Sequence, residues 1–183
     1  GSSKMLTKER VQIRSLALLA ILVAMCVTLR IFKIIDIPNV QPVTDMIMIV
    51  TLTMGAGFGF ALSALTMILS NIYLGFGIWT IPQIMAYVGC VLVVILLDKT
   101  TPLKQHFWMQ VIVATLLGYV YGLLINFGMS IWGGWSSFLG YAAGSFLFDT
   151  YHCLGNFGFY FVLYKPLTLA LNNYKRKVGI SYD

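Results

Sequence analysis

Apolar residues in this chain gather into long runs, and polar residues fall mostly in the short breaks between them. The first run extends from about Ile13 to Phe32, and the second from about Val43 to Met54. Gly55-Ala56-Gly57-Phe58-Gly59 makes a tight break, and a third run continues to about Leu74. Gly75-Phe76-Gly77-Ile78-Trp79-Thr80 reads as a short loop, with Pro82 suited to the first turn of a fourth helix that ends near Leu97. After the polar loop Asp98–Lys104, a fifth run spans about Phe107–Phe127. Gly128–Ser137 forms another loop, and a sixth run covers Phe138–Tyr164. A bilayer-crossing helix takes about 20 apolar residues. The pattern therefore predicts an all-α membrane protein with six transmembrane helices.

The segment Ile37-Pro38-Asn39-Val40-Gln41-Pro42-Val43-Thr44-Asp45 breaks this pattern most sharply. It sits between the first two runs, yet it carries two prolines, two amides, a hydroxyl and a carboxylate. Proline fixes φ and removes a backbone donor, so the segment cannot simply continue a helix. Polar groups at membrane depth are costly unless they meet a partner or a ligand. The segment is thus a candidate binding element.

Composition agrees with the pattern. The chain has 183 residues, 59% hydrophobic and 10% charged, with a mean hydropathy of +0.86. Soluble domains carry about 25% charged residues, so this chain is read as one membrane domain over residues 4–175, with no room for a separate soluble domain. Gly1-Ser2-Ser3 resembles an expression scar, and residues 176–183 form a basic tail. The first run is too long for a signal-peptide core and has no small-residue cleavage site.

Charge supplies the orientation. Lys4, Lys8, Arg10, Arg14, Lys99, Lys104, Lys165, Lys175, Arg176 and Lys177 fall on one side of a six-span arrangement, and only Arg30 and Lys33 fall on the other. This bias places both termini in the cytoplasm. The net charge of +6 is therefore a topology signal and does not suggest nucleic acid. Cys26, Cys90 and Cys153 lie far apart in apolar runs and form no metal-ligand or CxxC spacing.

On the outer side the loops hold Asn39, Gln41, Thr44, Trp79, Thr80, Trp132, Trp135 and Ser136. Tryptophan both anchors helices at membrane interfaces and stacks on ligands, and both uses fit here. Asn71, Gln83, Tyr87, Asn126 and Tyr141 are polar groups in the outer halves of the spans, and they should face inward. Asp45 and Asp149 are the acidic residues placed inside spans, positions that are functional by default. Asp149 and His152, three residues apart, share a helix face and could pair. Arg30 and Lys33 could bridge to Asp45. Ala17, Ala20 and Ala24 form a small-residue face that suits either internal packing or a separate subunit. Gly55/Gly59, Gly118/Gly122 and Gly140/Gly144 have the same spacing and are expected to pack internally. No HExxH, Walker A or GxSxG pattern occurs, and no nucleotide-binding domain fits, so any ATP-driven step needs another subunit. A small enzyme using Asp149 and His152, or a structural subunit of another complex, are the competing classes.

Ala20-xxx-Ala24 on the first span, Asn39-Val40-Gln41-Pro42-Val43-Thr44, Ser70-Asn71 and Gly75-Phe76-Gly77-Ile78-Trp79-Thr80, with six short spans, together resemble the substrate-binding S component of an energy-coupling-factor (ECF) vitamin transporter. The resemblance covers nearly the whole chain. It implies a receptor in the bacterial plasma membrane that binds a vitamin at its outer side and is not an enzyme. A transmembrane coupling subunit and two ATPase subunits would associate with it, and those partners would use ATP and Mg. Ala17, Ala20 and Ala24 would dock the coupling subunit, and the loop after span one would gate the ligand. No cofactor is implied for this chain beyond its vitamin. The subgroup resembles cobalamin receptors, while pantothenate, pyridoxine or hydroxymethylpyrimidine would also suit aromatic and amide groups. The expected ligand-binding residues are Asn39, Gln41, Thr44, Asp45, Asn71, Trp79, Gln83, Tyr87, Asn126, Trp132, Trp135, Tyr141 and Asp149.

Overall fold

Every apolar run becomes a helix. The computed structural model describes residues 2–33 and 35–178, with side chains from residue 8 onward. Its helices are α1 (Ser2–Ile31), α2 (Val43–Met54), α3 (Ala56–Leu74), α4 (Thr80–Thr100), α5 (Phe107–Gly133) and α6 (Phe138–Val178). Short 3₁₀ turns at Leu103–Gln105 and Trp135–Ser137 lead into α5 and α6. The described residues contain no strand.

The arrangement is set by α2. Its 12 residues reach about 18 Å, well short of a hydrocarbon core of about 30 Å. All nine residues from Val43 to Thr51 are buried, so α2 has no outward face. A helix apolar around its whole circumference belongs at the centre of a bundle. The other helices close around it: α1 packs on α3, α3 on α4, α4 on α5 and α5 on α6, and α2 touches all five. At the end holding both described termini, Ser15 Oγ and Tyr174 Oη lie 3.4 Å apart, joining α1 to α6. Toward the opposite end the chain between α1 and α2 fills the gap, with Val40 against Gly155 of α6. A Cβ on that glycine would meet Val40 Cα at 3.2 Å.

Large apolar side chains cover the outside. Ile13, Leu16, Leu69, Ile72, Leu92, Leu96, Ile112 and Leu123 are all exposed. Such a belt is intolerable in water and expected in lipid. Among the described residues, four helical stretches are long and apolar enough to cross a membrane: Lys8–Ile31, Ala56–Leu74, Thr80–Thr100 and Phe107–Gly133. Val43–Met54 is apolar but shorter, and α6 carries the buried polar residues Asp149, His152 and Asn156 along its length.

Several element ends differ from the sequence expectation. The break after α2 contracts to Gly55 alone, whose φ of 93° suits a residue without a Cβ. The fifth helix does not stop at Phe127. It continues through Gly128 to Gly133, because Gly128 lets the ring of Pro82 approach: a Cβ there would meet Pro82 Cβ at 3.1 Å. The sixth helix does not stop at Tyr164. It runs through Pro166 to Val178, and burial of Leu167 and Leu171 in the core opposes the break that a helix-interior proline favours. The Gly118/Gly122 pair does pack internally, against Cys153 and Asp149 of α6. Gly140 and Gly144 do not, since nothing lies within 4 Å of a Cβ at either position.

Replacing Gly118 with alanine would drive a methyl group to 2.6 Å from the backbone nitrogen of Cys153. Overpacking against backbone costs about 1–3 kcal/mol. Thermal melts of the detergent-purified protein should show Gly118→Ala clearly destabilised and Gly140→Ala near wild type.

Candidate functional site

Because α2 begins about halfway along the bundle, its N-terminus opens into the half of the molecule opposite the chain termini. Pro42 at its N-cap provides no side-chain cap. The first N–H groups and the positive end of the helix dipole therefore face that half. Broken helices of membrane transporters present their ends to ligands in the same way.

Around this point the surrounding helices bring three groups of polar side chains. The first joins α1, α3 and α4. Arg30 Nη1 donates to Ser70 Oγ and, at 2.7 Å, to Asn71 Oδ1. Asn71 Nδ2 in turn donates to Thr80 Oγ1 at 3.0 Å and Gln83 Oε1 at 2.6 Å. Ser70, Asn71 and Thr80 are buried, so this network is rigid and its geometry specified. The guanidinium also sits at the C-terminal turn of α1, where a cation complements the helix dipole.

The second group joins α2, α4, α5 and α6. Thr44 Oγ1 and His152 Nε2 lie 2.7 Å apart. The His152 ring meets Tyr121 edge-on at 5.3 Å between centroids, and Tyr121 meets Tyr87 at 4.5 Å. Below them is a void lined by Thr44, Tyr87, Cys90 and Leu117, with no room for a water molecule. The third group joins α5 and α6: Asn126 Nδ2 donates to Ser145 Oγ at 2.8 Å, and Ser145 donates to Asp149 Oδ2 at 3.1 Å. The Asp149 carboxyl is seated against Gly122, where any Cβ would overlap it.

These groups bring together six of the residues expected from the sequence: Thr44, Asn71, Gln83, Tyr87, Asn126 and Asp149. Asn39 lies beside them, with a positive φ of 63° and its Nδ2 donating to the Phe148 carbonyl at 3.2 Å. Gln41 is half-buried. Asp45 points elsewhere. It is fully buried on α2, and neither carboxyl oxygen has a hydrogen-bond partner among the described residues. The expected bridge from Arg30 or Lys33 to Asp45 is not made, because Arg30 turns to α3. Asp149 and His152 do not pair either. One faces α5 and Ser145, the other α2 and Thr44.

The tryptophans stand apart from the cluster. Trp79 folds over Gly77 and donates from Nε1 to the Gly75 carbonyl at 3.1 Å. Trp132 is exposed at the end of α5, and Trp135 leans on Phe127. Tyr141 is exposed, with its hydroxyl near Gly133. The residues that sequence reasoning left out of the site are Arg30, Ser70, Thr80, Tyr121, Ser145 and His152. Arg30 had a usable signal, being a cation on the side that holds few. Tyr121 had a weaker one, lying beside the close-packing Gly118/Gly122 pair.

A bundle with an apolar exterior and buried polar groups is the architecture of a membrane-embedded protein. A family model described as the ECF transporter, substrate-specific component, matches residues 14–164. The chain belongs to that family: it is a multi-pass membrane subunit of a transport system, not an enzyme. No curated protein matched the chain in a sequence comparison.

Asn71 is the hinge of the first network. Asn71→Leu leaves the half-buried Arg30 guanidinium and Gln83 amide short of a partner, each at less than the cost of about 1–3 kcal/mol for a fully buried unsatisfied group. A lower melting temperature than that of Asn126→Leu, whose network has no charged donor, is the expected result.

Proposed function

We propose that this chain is the vitamin-binding S component of an ATP-driven importer, that its substrate binds over the N-terminus of α2, and that Thr44, Asn71, Gln83, Tyr87, Asn126 and Asp149 form the binding surface. The observation that carries this reading is the convergence of the three polar groups on the uncapped end of a buried half-helix, in a chain of this family. In this reading the protein crosses the bacterial plasma membrane six times with both termini in the cytoplasm. The shared location of the α1 start and the α6 end and the basic bias support that topology. The segment Ile35–Gln41 carries the chain over the distance that α2 is too short to cover, and it acts as the gate.

The coupling subunit docks on α1, and two ATPase subunits hydrolyse ATP with Mg. Ala17, Ala20 and Ala24 are exposed along one face of α1, so a partner helix can approach closely there. Resemblance names cobalamin as the cargo. The tight packing around Thr44 and Tyr87 favours a smaller vitamin or precursor such as pantothenate, pyridoxine or hydroxymethylpyrimidine, because a corrinoid would require the helices to part widely.

Mass spectrometry of the small molecule that co-purifies with the chain, followed by thermal shifts with these four compounds, tests the assignment. One of them should be retained and should raise the melting temperature, and that shift should be lost in Thr44→Val. No shift with any vitamin, together with no vitamin uptake into liposomes by the assembled complex, would overturn it. Docking has its own test. Ala20→Trp with Ala24→Trp should abolish co-purification with the coupling subunit while leaving the thermal shift intact.

A further inference from the structure

A second polar cavity lies at the other end of the bundle, away from Arg30 and Thr44. It has a volume of about 260 Å³, and its polar lining includes Thr53, Lys104, Gln110, Tyr160, Thr168 and Lys175, with Tyr164 and Asn172 beside them. The C-terminus of α2, the 3₁₀ turn before α5, the start of α5 and the last turns of α6 enclose it. Substrate binding as proposed above makes no use of it.

Its chemistry is one-sided. Lys175 Nζ donates to the Thr53 carbonyl at 2.8 Å, which fixes the ammonium at the rim and leaves two of its three N–H donors. Lys104 pairs with Asp98 at 3.1 Å, but the side chains are 51% and 25% exposed. Such a pair is screened and weak, so Lys104 can turn its remaining donors to the cavity. Deeper in, Gln110 donates to the Leu103 carbonyl at 3.0 Å and accepts from the Tyr160 hydroxyl. The Thr168 hydroxyl oxygen is buried and has no partner among the described residues. Two ammonium groups and an unsatisfied hydroxyl thus share a cavity that, among the described residues, no carboxylate lines. Charge-assisted hydrogen bonds from such donors suit phosphate oxygens.

We propose that this cavity binds a phosphate-class anion, supplied either by an anionic lipid headgroup or by free phosphate. The apolar walls formed by Ile49 and Leu52 and the basic residues Arg176 and Lys177 nearby on α6 favour the lipid, whose headgroup would sit at a basic membrane boundary.

The test uses the full chain purified in neutral detergent. Native mass spectrometry compares retention of phosphatidylglycerol and phosphatidylcholine, and thermal melts compare sodium phosphate with sodium chloride at equal ionic strength. Wild type should retain phosphatidylglycerol about tenfold better, as expected for charge-assisted contacts to phosphate. Lys104→Gln and Thr168→Val should lose most of that preference. Lys99→Gln, the same charge change on an exposed residue outside the cavity, should keep it. Lys104→Gln avoids the contact that Lys175 makes with α2, so a folding defect does not confound it. A phosphate-dependent melting shift that is lost in Lys104→Gln, without lipid preference, supports the site and identifies the free anion as its source. Equal retention of both lipids with no phosphate response overturns the proposal, as does an identical response of Lys104→Gln and Lys99→Gln.

Discussion

The structure depends on burying a helix that has no outer face. α2 is enclosed along Val43–Thr51, and every other helix touches it while packing on its own neighbours in the ring. In lipid the hydrophobic effect does not drive helices together, so association rests on close packing and on satisfied polar groups. Both are concentrated here. Gly118 and Gly122 bring α5 onto α6, and Thr44 ties α2 to α6. Because α2 is only half a span long, the space above its N-terminus has to be filled by something other than helix backbone. Side chains from five helices fill it, and that is why a cluster of polar groups forms there.

The same geometry separates two kinds of polarity. Groups above α2 bond to one another across helices, as in the Arg30–Asn71–Gln83 chain. Groups below it, such as Lys175 and Gln110, bond largely to backbone carbonyls at helix ends. The first arrangement fixes the relative positions of whole helices. The second leaves side-chain donors over.

How much of this was legible in the sequence follows from what lipid demands. A bilayer requires unbroken apolar runs, so the number and order of helices were plain. Local breaker rules failed where tertiary contact overrode them. Gly128 reads as a loop residue, yet it stays helical because Pro82 needs the space, and Pro166 reads as a stop although buried leucines follow it. Radial direction was harder still. Ser130 is buried and Trp132, two residues on, is exposed, a difference of about 200° around a helix of 3.6 residues per turn. Without the neighbouring helices, nothing tells which of the two faces the centre. Asp149 and His152 share a face by spacing, but that face spans two neighbours: Asp149 seats on α5, while His152 bonds to Thr44 of α2 and meets Tyr121 of α5 with its ring edge.

The contact between Val40 and α6 has a mechanical consequence. The segment lies over Gly155, with Gly158 one turn further along the same groove. A helix surface is normally corrugated by side-chain ridges that lock a partner in register. Gly155 removes one such ridge and lets Val40 seat closely, whereas at Gly158 nothing lies within 4 Å of a Cβ. The segment is held to α6 at two places, by the close seat of Val40 on Gly155 and by the Asn39 hydrogen bond to the Phe148 carbonyl. Any displacement of the segment, along the helix axis or away from it, would have to break the Asn39 hydrogen bond to α6.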